Sequence, residues 1–148
     1  MPSDRFGPSA GELSPGACRE KLESRTIGRL AVNIDALPVV LPVNYVLDGN
    51  SIVIRTPVGT KLGAAINETV VAFEVDHFDQ EVDRGWSVLV QGRSREITGA
   101  ERLERAMVLP LRPVTSNGTP DRFVEVEMEI VTGRHIEPLE GPGATARA

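Results

Sequence analysis

The stretch IRTPVGTKLGAA, residues 54–65, has the side chains in this sequence best suited to bind an anion. Thr60 and Lys61 stand at the predicted start of a helix, and Arg55 precedes the proline-glycine turn before it. The first amides of a helix lack intrahelical partners, so a hydroxyl and two cations beside them could bind a phosphate. A capped helix with a solvated lysine explains the same residues, and the spacing alone favours that simpler interpretation.

Other patterns in the sequence exclude several kinds of chemistry. The residues around Lys61 lack the glycine spacing of a Walker loop and of a dinucleotide-binding turn, which disfavours nucleoside triphosphates and a Rossmann domain. His77 lies in the acidic stretch EVDHFDQEVD, but no metal-binding spacing is present there, so we predict a solvated turn and no metal site. Cys18 is predicted to be an apolar helix position, and no serine has a strand-to-helix elbow, so no catalytic nucleophile is assigned.

Two polar or aromatic positions have more than one interpretation. Trp86 could lie over a flat ligand or cover the end of the hydrophobic core, and the core is favoured. Asn44 stands in the apolar stretch PVVLPVNYVLD, where an amide is either hydrogen-bonded within the fold or presented to a ligand. The residues alone leave the role of Asn44 open.

The composition restricts the class of protein. The chain has 148 residues, 41% of them hydrophobic, which fits one globular domain. A net charge of -5 and only four Phe, one Trp and one Tyr provide neither a basic patch nor stacking platforms, so no nucleic-acid partner is predicted. With one Cys, no secretory leader and no membrane-spanning apolar stretch, we expect a soluble cytoplasmic protein without a membrane partner.

The hydrophobic pattern predicts short helices and many strands. Ser14 followed by Pro15 is typical of a helix start, and this helix should end near Gly28. Strands are predicted from the stretches GRLAVNI, PVVLPVNYVL, SIVIRT, TVVAFEVD, WSVLVQGRSREI and RFVEVEMEIVTG. Together they predict one mainly antiparallel barrel over residues 14–137, with flexible tails at 1–13 and 138–148.

Details of burial follow from the same patterns. TVVAFEVD is almost continuously apolar, which indicates a strand covered on both faces. Gly92 inside the next strand marks a candidate bulge or bend. A helix over residues 99–109 should turn Leu103, Ala106 and Met107 to one side. In the last strand one face should be buried and the other solvated, the inward residues being Val124, Val126, Met128 and Ile130.

In their order and spacing, the stretches GRLA, LPVNYV, IRTPVGTKL, AFEVD, GWSVLVQG and VTGRHI resemble the pyridoxamine 5'-phosphate oxidase-like family of flavin-binding split barrels. The resemblance extends from about Pro15 to Ile136. It implies a mainly β fold, a split β-barrel of about six to seven mostly antiparallel strands with short flanking helices. It also implies a homodimer that binds FMN in two clefts between its subunits.

The resemblance further implies which residues bind FMN. Thr60 and Lys61 would hold the phosphate, with Arg55 beside the cofactor. The strand over residues 41–44 would line the flat ring, mainly through backbone groups. Trp86 and the residue after it would complete the pocket. The full set implied is Leu41, Pro42, Val43, Asn44, Arg55, Thr56, Thr60, Lys61, Trp86 and Ser87.

The implied activity is a flavin-dependent oxidoreductase that transfers hydride to or from a small molecule. The chain ends in GRHIEPLEGPGATARA and lacks the tryptophan-arginine segment with which true pyridoxamine phosphate oxidases bind the vitamin, so vitamin B6 is not the expected substrate. Tyr45 and His77 are the titratable groups nearest the implied cleft, and neither is assigned a catalytic role. The alternatives are a deazaflavin-dependent reductase on the same fold and a non-enzymatic flavin- or haem-binding protein with His135 as axial ligand.

Overall fold

The computed structural model of the protein describes residues 11–57, 61–111 and 121–138. In these ranges the chain forms seven strands and three helices. Their bounds are α1 Pro15–Glu23, β1 Ile27–Ile34, β2 Leu37–Asp48, β3 Ser51–Pro57, α2 Lys61–Ala65, β4 Thr69–Asp79, β5 Arg84–Glu96, α3 Ala100–Met107, β6 Asp121–Glu127 and β7 Ile130–Ile136. Thr60 and most of both predicted tails lie outside the described residues.

Six antiparallel strands close into a barrel. The pairing runs in the order β1, β2, β3, β6, β5, β4 and returns to β1. β7 pairs with the first half of β5, from Gly85 opposite Ile136 to Gln91 opposite Ile130. The structure confirms the predicted mainly β barrel with short helices.

Gly92 lies where β5 changes partners on one edge. β7 pairs with β5 as far as Gln91, and β6 takes over at Ser94. A Cβ atom at position 92 would stand 1.8 Å from the carbonyl oxygen of Glu127, so glycine lets the end of β6 pass close by. The ladder between β5 and β4 continues through this position, so the glycine serves a close backbone approach and not the predicted bulge.

Alternate residues of the strands fill the barrel, because successive side chains of a strand point to opposite faces. α1 packs on this core near Trp86, at the start of β5, and Ile66 packs on it beyond α2. Near the other end of β5, the hydroxyl of Ser94 donates a hydrogen bond to the carbonyl oxygen of Ile66. Fully buried residues of the interior include Leu30, Ile52, Ile54, Phe73, Val88, Val90 and Val126.

The N-terminal helix begins as predicted. The hydroxyl of Ser14 accepts a hydrogen bond from the N–H of Ala17 at 3.2 Å. Just before it, Leu13 is buried and its N–H donates to the carbonyl of Gly133 at 2.8 Å. Residues 11–13, predicted as part of a flexible tail, therefore pack along β7 because Leu13 adds apolar surface to the core.

The stretch predicted as one last strand forms two. β6 ends at Glu127, and the N–H of the next residue, Met128, donates to the carbonyl of Asn50 at 3.0 Å. The break lets the chain leave β3 and continue along the first half of β5 as β7. It also interrupts the alternation, so Met128 is buried as predicted whereas Ile130 is 44% exposed.

Two other predictions about burial do not hold within one chain. In β4, Phe73 and its alternate neighbours point into the barrel, but the opposite face is not covered, and Val70 on that face is 62% exposed. In α3, Leu103 and Ala106 pack on the outside of the barrel as predicted. Met107 is 67% exposed because the helix ends at that residue.

Candidate functional site

The barrel is split between β2 and β3. The two strands pair from Asp48 opposite Ser51 to Tyr45 opposite Ile54, and their ladder ends there. Beyond this point β2 stays paired with β1 as far as Leu37, whereas β3 stays paired with β6. The two strands therefore diverge and leave the edge of β2 over residues 37–44 without a strand partner among the described residues.

The free edge of β2 is formed by its even-numbered residues. The N–H of Tyr45 donates to the carbonyl of Thr26 at 3.0 Å, so the backbone of the odd-numbered residues faces β1. In an antiparallel ladder the next residue faces the other way. Pro42 and Asn44 thus turn their backbone groups to the split, whereas Leu41 and Val43 turn theirs to β1.

The side chains of the same segment alternate as well. Val43 points into the barrel and is buried, and Leu41 on the same face is half-buried. Pro42 points outward and is exposed, and Asn44 on that outer face is half-buried. Of the residues 41–44 predicted to line a ring, two offer backbone groups to the split and two offer apolar side chains to the core beneath it.

Arg55 and Thr56 lie on the other side of the split, at the end of β3. Arg55 points outward, with its guanidinium carbon 5.0 Å from the centre of the Phe123 ring and its Nη1 3.4 Å from the carbonyl oxygen of Leu111. Thr56 is only 2% exposed. These contacts hold the guanidinium at the outer surface of the barrel, one strand away from Asn44.

Lys61 is the first residue of α2, which packs against β1 and β3. Its side chain is 82% exposed, and its Nζ lies 3.5 Å from Oδ2 of Asp35 in the turn between β1 and β2. Such an exposed ion pair is weak, so the ammonium remains available to a stronger anion. Because α2 has five described residues, any attraction of an anion at this point would come mainly from the lysine and not from the helix end.

Trp86 and Ser87 lie on β5, away from the split. Trp86 is buried at the core, and the cations of Lys21 and Arg25 stand 5.2 Å and 5.8 Å from the centre of its ring. Ser87 is half-buried, points outward and pairs with Asp76 on β4. β1 and β4 separate β5 from β2, and β6 separates it from β3. One chain therefore places residues 41–44 on one side of the split and residues 55 and 56 on the other, with Lys61 beside the β1–β2 turn, and it leaves Trp86 and Ser87 apart.

The titratable groups near the barrel interior are poorly suited to acid-base chemistry. Burial raises the pKa of Tyr45 to about 12, and its hydroxyl donates to the carbonyl of Leu22. Burial also raises the pKa of the Cys18 thiol, which keeps it protonated and unreactive. His77 is exposed and lies opposite Trp86 in the ladder of β4 and β5, away from the split.

A charged cluster that the sequence analysis did not identify lies on the outer surface. Arg29 of β1 stands 3.3 Å from Oε1 of Glu74 and 3.1 Å from Oδ2 of Asp76. Burial, and then the hydrogen bond and charge of Asp76, raise the pKa of Glu74 to about 7, while Arg29 opposes the shift. Alternation within each strand could have placed all three residues outward, but only the pairing of β1 with β4 brings them together.

This cluster belongs to a surface that we call the bare face, the outward side of β1, β4, β5, β7 and residues 37–44 of β2. No described helix covers it. Several of its apolar side chains are exposed, namely Ile27 at 58%, Val40 at 63%, Val70 at 62% and Ile130 at 44%.

The described ranges lack two further features, a metal-binding cluster and a membrane-spanning helix. No group of three or more His, Cys, Asp and Glu side chains there could hold a metal ion. None of the helices in the same ranges has the length and apolar character to cross a membrane.

Comparison with known proteins identifies similar chains. Residues 14–135 match the sequence model of the family described as pyridoxamine 5'-phosphate oxidase. An uncharacterized protein of Mycobacterium tuberculosis, Rv0080, is 32% identical to this chain over an alignment 147 residues long. The alignment covers 88% of this chain and 95% of that protein.

Solved structures agree with this fold. The FAD binding protein from Mycobacterium smegmatis superposes with a TM-score of 0.76 and 32% identity, over 85% of this chain and 98% of that one. A putative pyridoxamine 5'-phosphate oxidase from Corynebacterium glutamicum gives a TM-score of 0.73 and 28% identity, over 85% and 97%. The flavocytochrome Anf3 from Azotobacter vinelandii shares the fold, with a TM-score of 0.72 over 96% of this chain and 79% of that one. Its sequence is 15% identical.

Proposed function

The chain belongs to the pyridoxamine 5'-phosphate oxidase family, and from this premise we propose that it binds a flavin nucleotide at the split of its barrel and uses it to oxidise or reduce a small molecule. The observation that carries the proposal is the free edge of β2 over residues 37–44, which lies beside the end of β3 and near Lys61. A free strand edge supplies the backbone groups that a flat heterocycle can hydrogen-bond.

The residues at the split fit the two parts of a flavin nucleotide. Asn44 and Pro42 offer backbone groups toward the split, which suit the polar edge of the ring. Lys61 offers an exposed ammonium and Arg55 a guanidinium at the outer surface, which suit the phosphate. A bound flavin would supply two-electron chemistry, by accepting or giving up a hydride.

We propose FMN as the cofactor and treat FAD as the first competitor. FMN has one phosphate group, which matches the two cations Lys61 and Arg55. FAD contains the same ring, ribityl chain and first phosphate, and a similar protein from Mycobacterium smegmatis is an FAD binding protein. The adenylate half of FAD would extend past these contacts, so the two cofactors differ in what lies beyond the first phosphate.

We further propose that two copies of the chain form the complete site. Ser87 was implied as a cofactor contact, yet it lies on the bare face of the same chain, apart from the split. Exposed Val40 and Val70 give this face the apolar surface that a second copy would cover. In a symmetric dimer Ser87 of one copy can approach the split of the other, which would unite the two groups of implied contacts.

The protein's contribution to the reaction would be orientation and control of access, since no described group near the split is poised as an acid or base at neutral pH. Tyr45 is held neutral by burial and its hydroxyl is engaged with α1. The substrate is proposed to be a small molecule.

The first test is an absorption titration of the purified protein with FMN, FAD, a deazaflavin and haem in parallel. We expect the perturbed visible bands of bound flavin with FMN, and oxidation of a reduced nicotinamide when one is added. Tighter binding of FAD than of FMN would correct the cofactor, and binding of haem alone would replace the proposal by the carrier alternative.

The second test removes the proposed phosphate contact. Lys61→Ala should weaken FMN binding by about 1–3 kcal/mol, the range of hydrogen bonds to charged groups, while Lys61→Arg should retain most of the affinity. Asp35→Asn is the matched control, because it removes the carboxylate that competes for the ammonium and keeps a side chain that tolerates its φ of 51°. It should tighten binding slightly. An unchanged dissociation constant in Lys61→Ala would place the phosphate elsewhere.

A further inference from the structure

The register of β2 and β3 assigns two prolines to opposite sides of the split. The ladder of β2 and β3 pairs Val46 with Val53 and Tyr45 with Ile54. Continuing this register by three residues along each strand brings position 42 opposite position 57. Both positions are proline.

The missing N–H groups of these two prolines would point at each other. The backbone of even-numbered residues in β2 faces the split, as the bond from Tyr45 to Thr26 requires. In β6 the carbonyl of Phe123 accepts from the N–H of Ile97, just after β5, so the residue opposite Phe123, Arg55, faces away from β6. Position 57, two residues further along β3, faces the same way.

Both prolines remain paired on their other edges. Pro42 is opposite Arg29 of β1, and Pro57 is opposite Asp121 of β6. Each strand therefore continues past the point where the β2–β3 ladder has stopped. A proline in a strand is tolerated where no ladder bond is required of it, which is the edge that each of these residues presents to the split.

We propose that Pro42 and Pro57 keep the split from closing beyond Asn44 and Arg55, because they remove both N–H donors of the next backbone pair that could hydrogen-bond across it. A residue with an N–H at either position could donate to the carbonyl opposite and draw the strands together. The two prolines are thus positioning residues for the free edge. That the edge receives a flavin rests on the proposed function, whereas the separation of the strands does not.

The test is the variant P42A/P57A, which restores both donors, with P42A and P57A alone as milder versions. P38A is the matched control: it adds an N–H to the same edge of β2, but the register brings position 38 opposite position 61, which is in α2. Far-ultraviolet circular dichroism and thermal unfolding identify variants that fold. Amide exchange by NMR and FMN titration are then measured on those variants.

In the double variant we expect the new amides at positions 42 and 57 to exchange at least roughly tenfold more slowly than the new amide of P38A. We also expect a cross-strand NOE between the α-protons of Val43 and Thr56, which would face each other in the extended ladder. FMN affinity should fall by roughly tenfold in P42A/P57A and stay near the wild-type value in P38A.

The two halves of this experiment separate the inference from the proposed function. If the wild-type protein binds no flavin, the proposed function is wrong, and slowed exchange with the new NOE still supports the role of the prolines. If the double variant shows fast amide exchange and no cross-strand NOE, the prolines do not hold the strands apart. If the double variant does not fold, the same result in the single variants leads to the same conclusion. If the exchange and the NOE show that the strands have closed but FMN affinity is unchanged, the cofactor does not bind at the split.

Discussion

The two outer surfaces of the barrel differ in what covers them. α3 lies over the outside of β3 and β6, and its Ala106 packs with Val53, Ile97, Leu111 and Phe123 in a second cluster of buried apolar residues. The bare face, by contrast, exposes Val40 and Val70, and no described helix packs on it.

The charges on the two surfaces differ in the same way. On the covered side, Arg102 contacts Asp48 at 2.5 Å and Glu125 at 2.9 Å, and all three side chains are at most a quarter exposed. On the bare face, Arg29 is 54% exposed and must serve two neighbouring carboxylates. The covered surface is thus complete within one chain, whereas the bare face has exposed apolar groups and two carboxylates beside one arginine that a second surface could still cover.

The largest expected effect tests the covered side. Phe123→Ala should lower the free energy of unfolding by about 3–4 kcal/mol, because it leaves a cavity between α3 and the sheet. Met107→Ala, at the exposed end of α3, should change it by no more than about 0.5 kcal/mol. Denaturant unfolding measures both. Equal losses would show that the buried cluster does not anchor α3.

The next effect tests the bare face. Val40→Lys combined with Val70→Lys places two charges on it and should raise the dissociation constant of the proposed dimer by at least about 100-fold. Met107→Lys with Val108→Lys adds the same charge at the exposed end of α3 and should leave association unchanged. Sedimentation equilibrium gives the masses. A wild-type protein that stays a single chain at high concentration would refute the dimer.

The smallest expected effect concerns the pH dependence of stability. The pKa of Glu74 is raised from 4.5 to about 7, so between these values the folded chain holds a proton that the unfolded chain has released. Stability contributed by this carboxyl therefore falls as the pH rises from 4.5 to 7. Since the side chain is 34% exposed, solvent screening limits the change to about 1 kcal/mol or less.

Glu74→Gln provides the comparison for that measurement. The variant cannot ionise at this position, so its stability should decline less over the same pH window, as urea unfolding at pH 5 and pH 8 would measure. Asp48→Asn, on the covered side, removes a carboxylate that contacts two arginines and should lower stability at both pH values. Parallel pH profiles for wild type and Glu74→Gln would show that the carboxyl of Glu74 does not cause the pH dependence.

Much of the fold could be predicted because its signals are local. Ser14 before Pro15 specified the start of α1, and Gly49, with its φ of 60°, forms the turn between β2 and β3. The alternation of apolar residues predicted the strands. It could not reveal the turn after Glu127, because that turn is set by which strand each segment pairs with.

The residues on the two sides of the split could be located in part from the sequence. The segments around Asn44 and Lys61 were identified from local composition and resemblance, and the structure places Asn44 at the split and Lys61 beside Asp35 of the β1–β2 turn, while their binding of a cofactor stays a prediction. The placement of Trp86 against Lys21 and Arg25 depended on how α1 packs, which the strand sequence around Trp86 does not contain. The cluster of Arg29 with the carboxylates of β4 was missed for the same reason.

By itself the sequence determined most of the elements and turns, and the positions where proline withholds an N–H group, because these depend on residues close together in the chain. Only the tertiary structure decided that the register of β2 and β3 places Pro42 and Pro57 on opposite sides of the split, that one outer surface is covered by α3, and that the other is bare. Those outcomes depend on register between distant strands, where a shift of one residue reverses every side chain and the local pattern is unchanged.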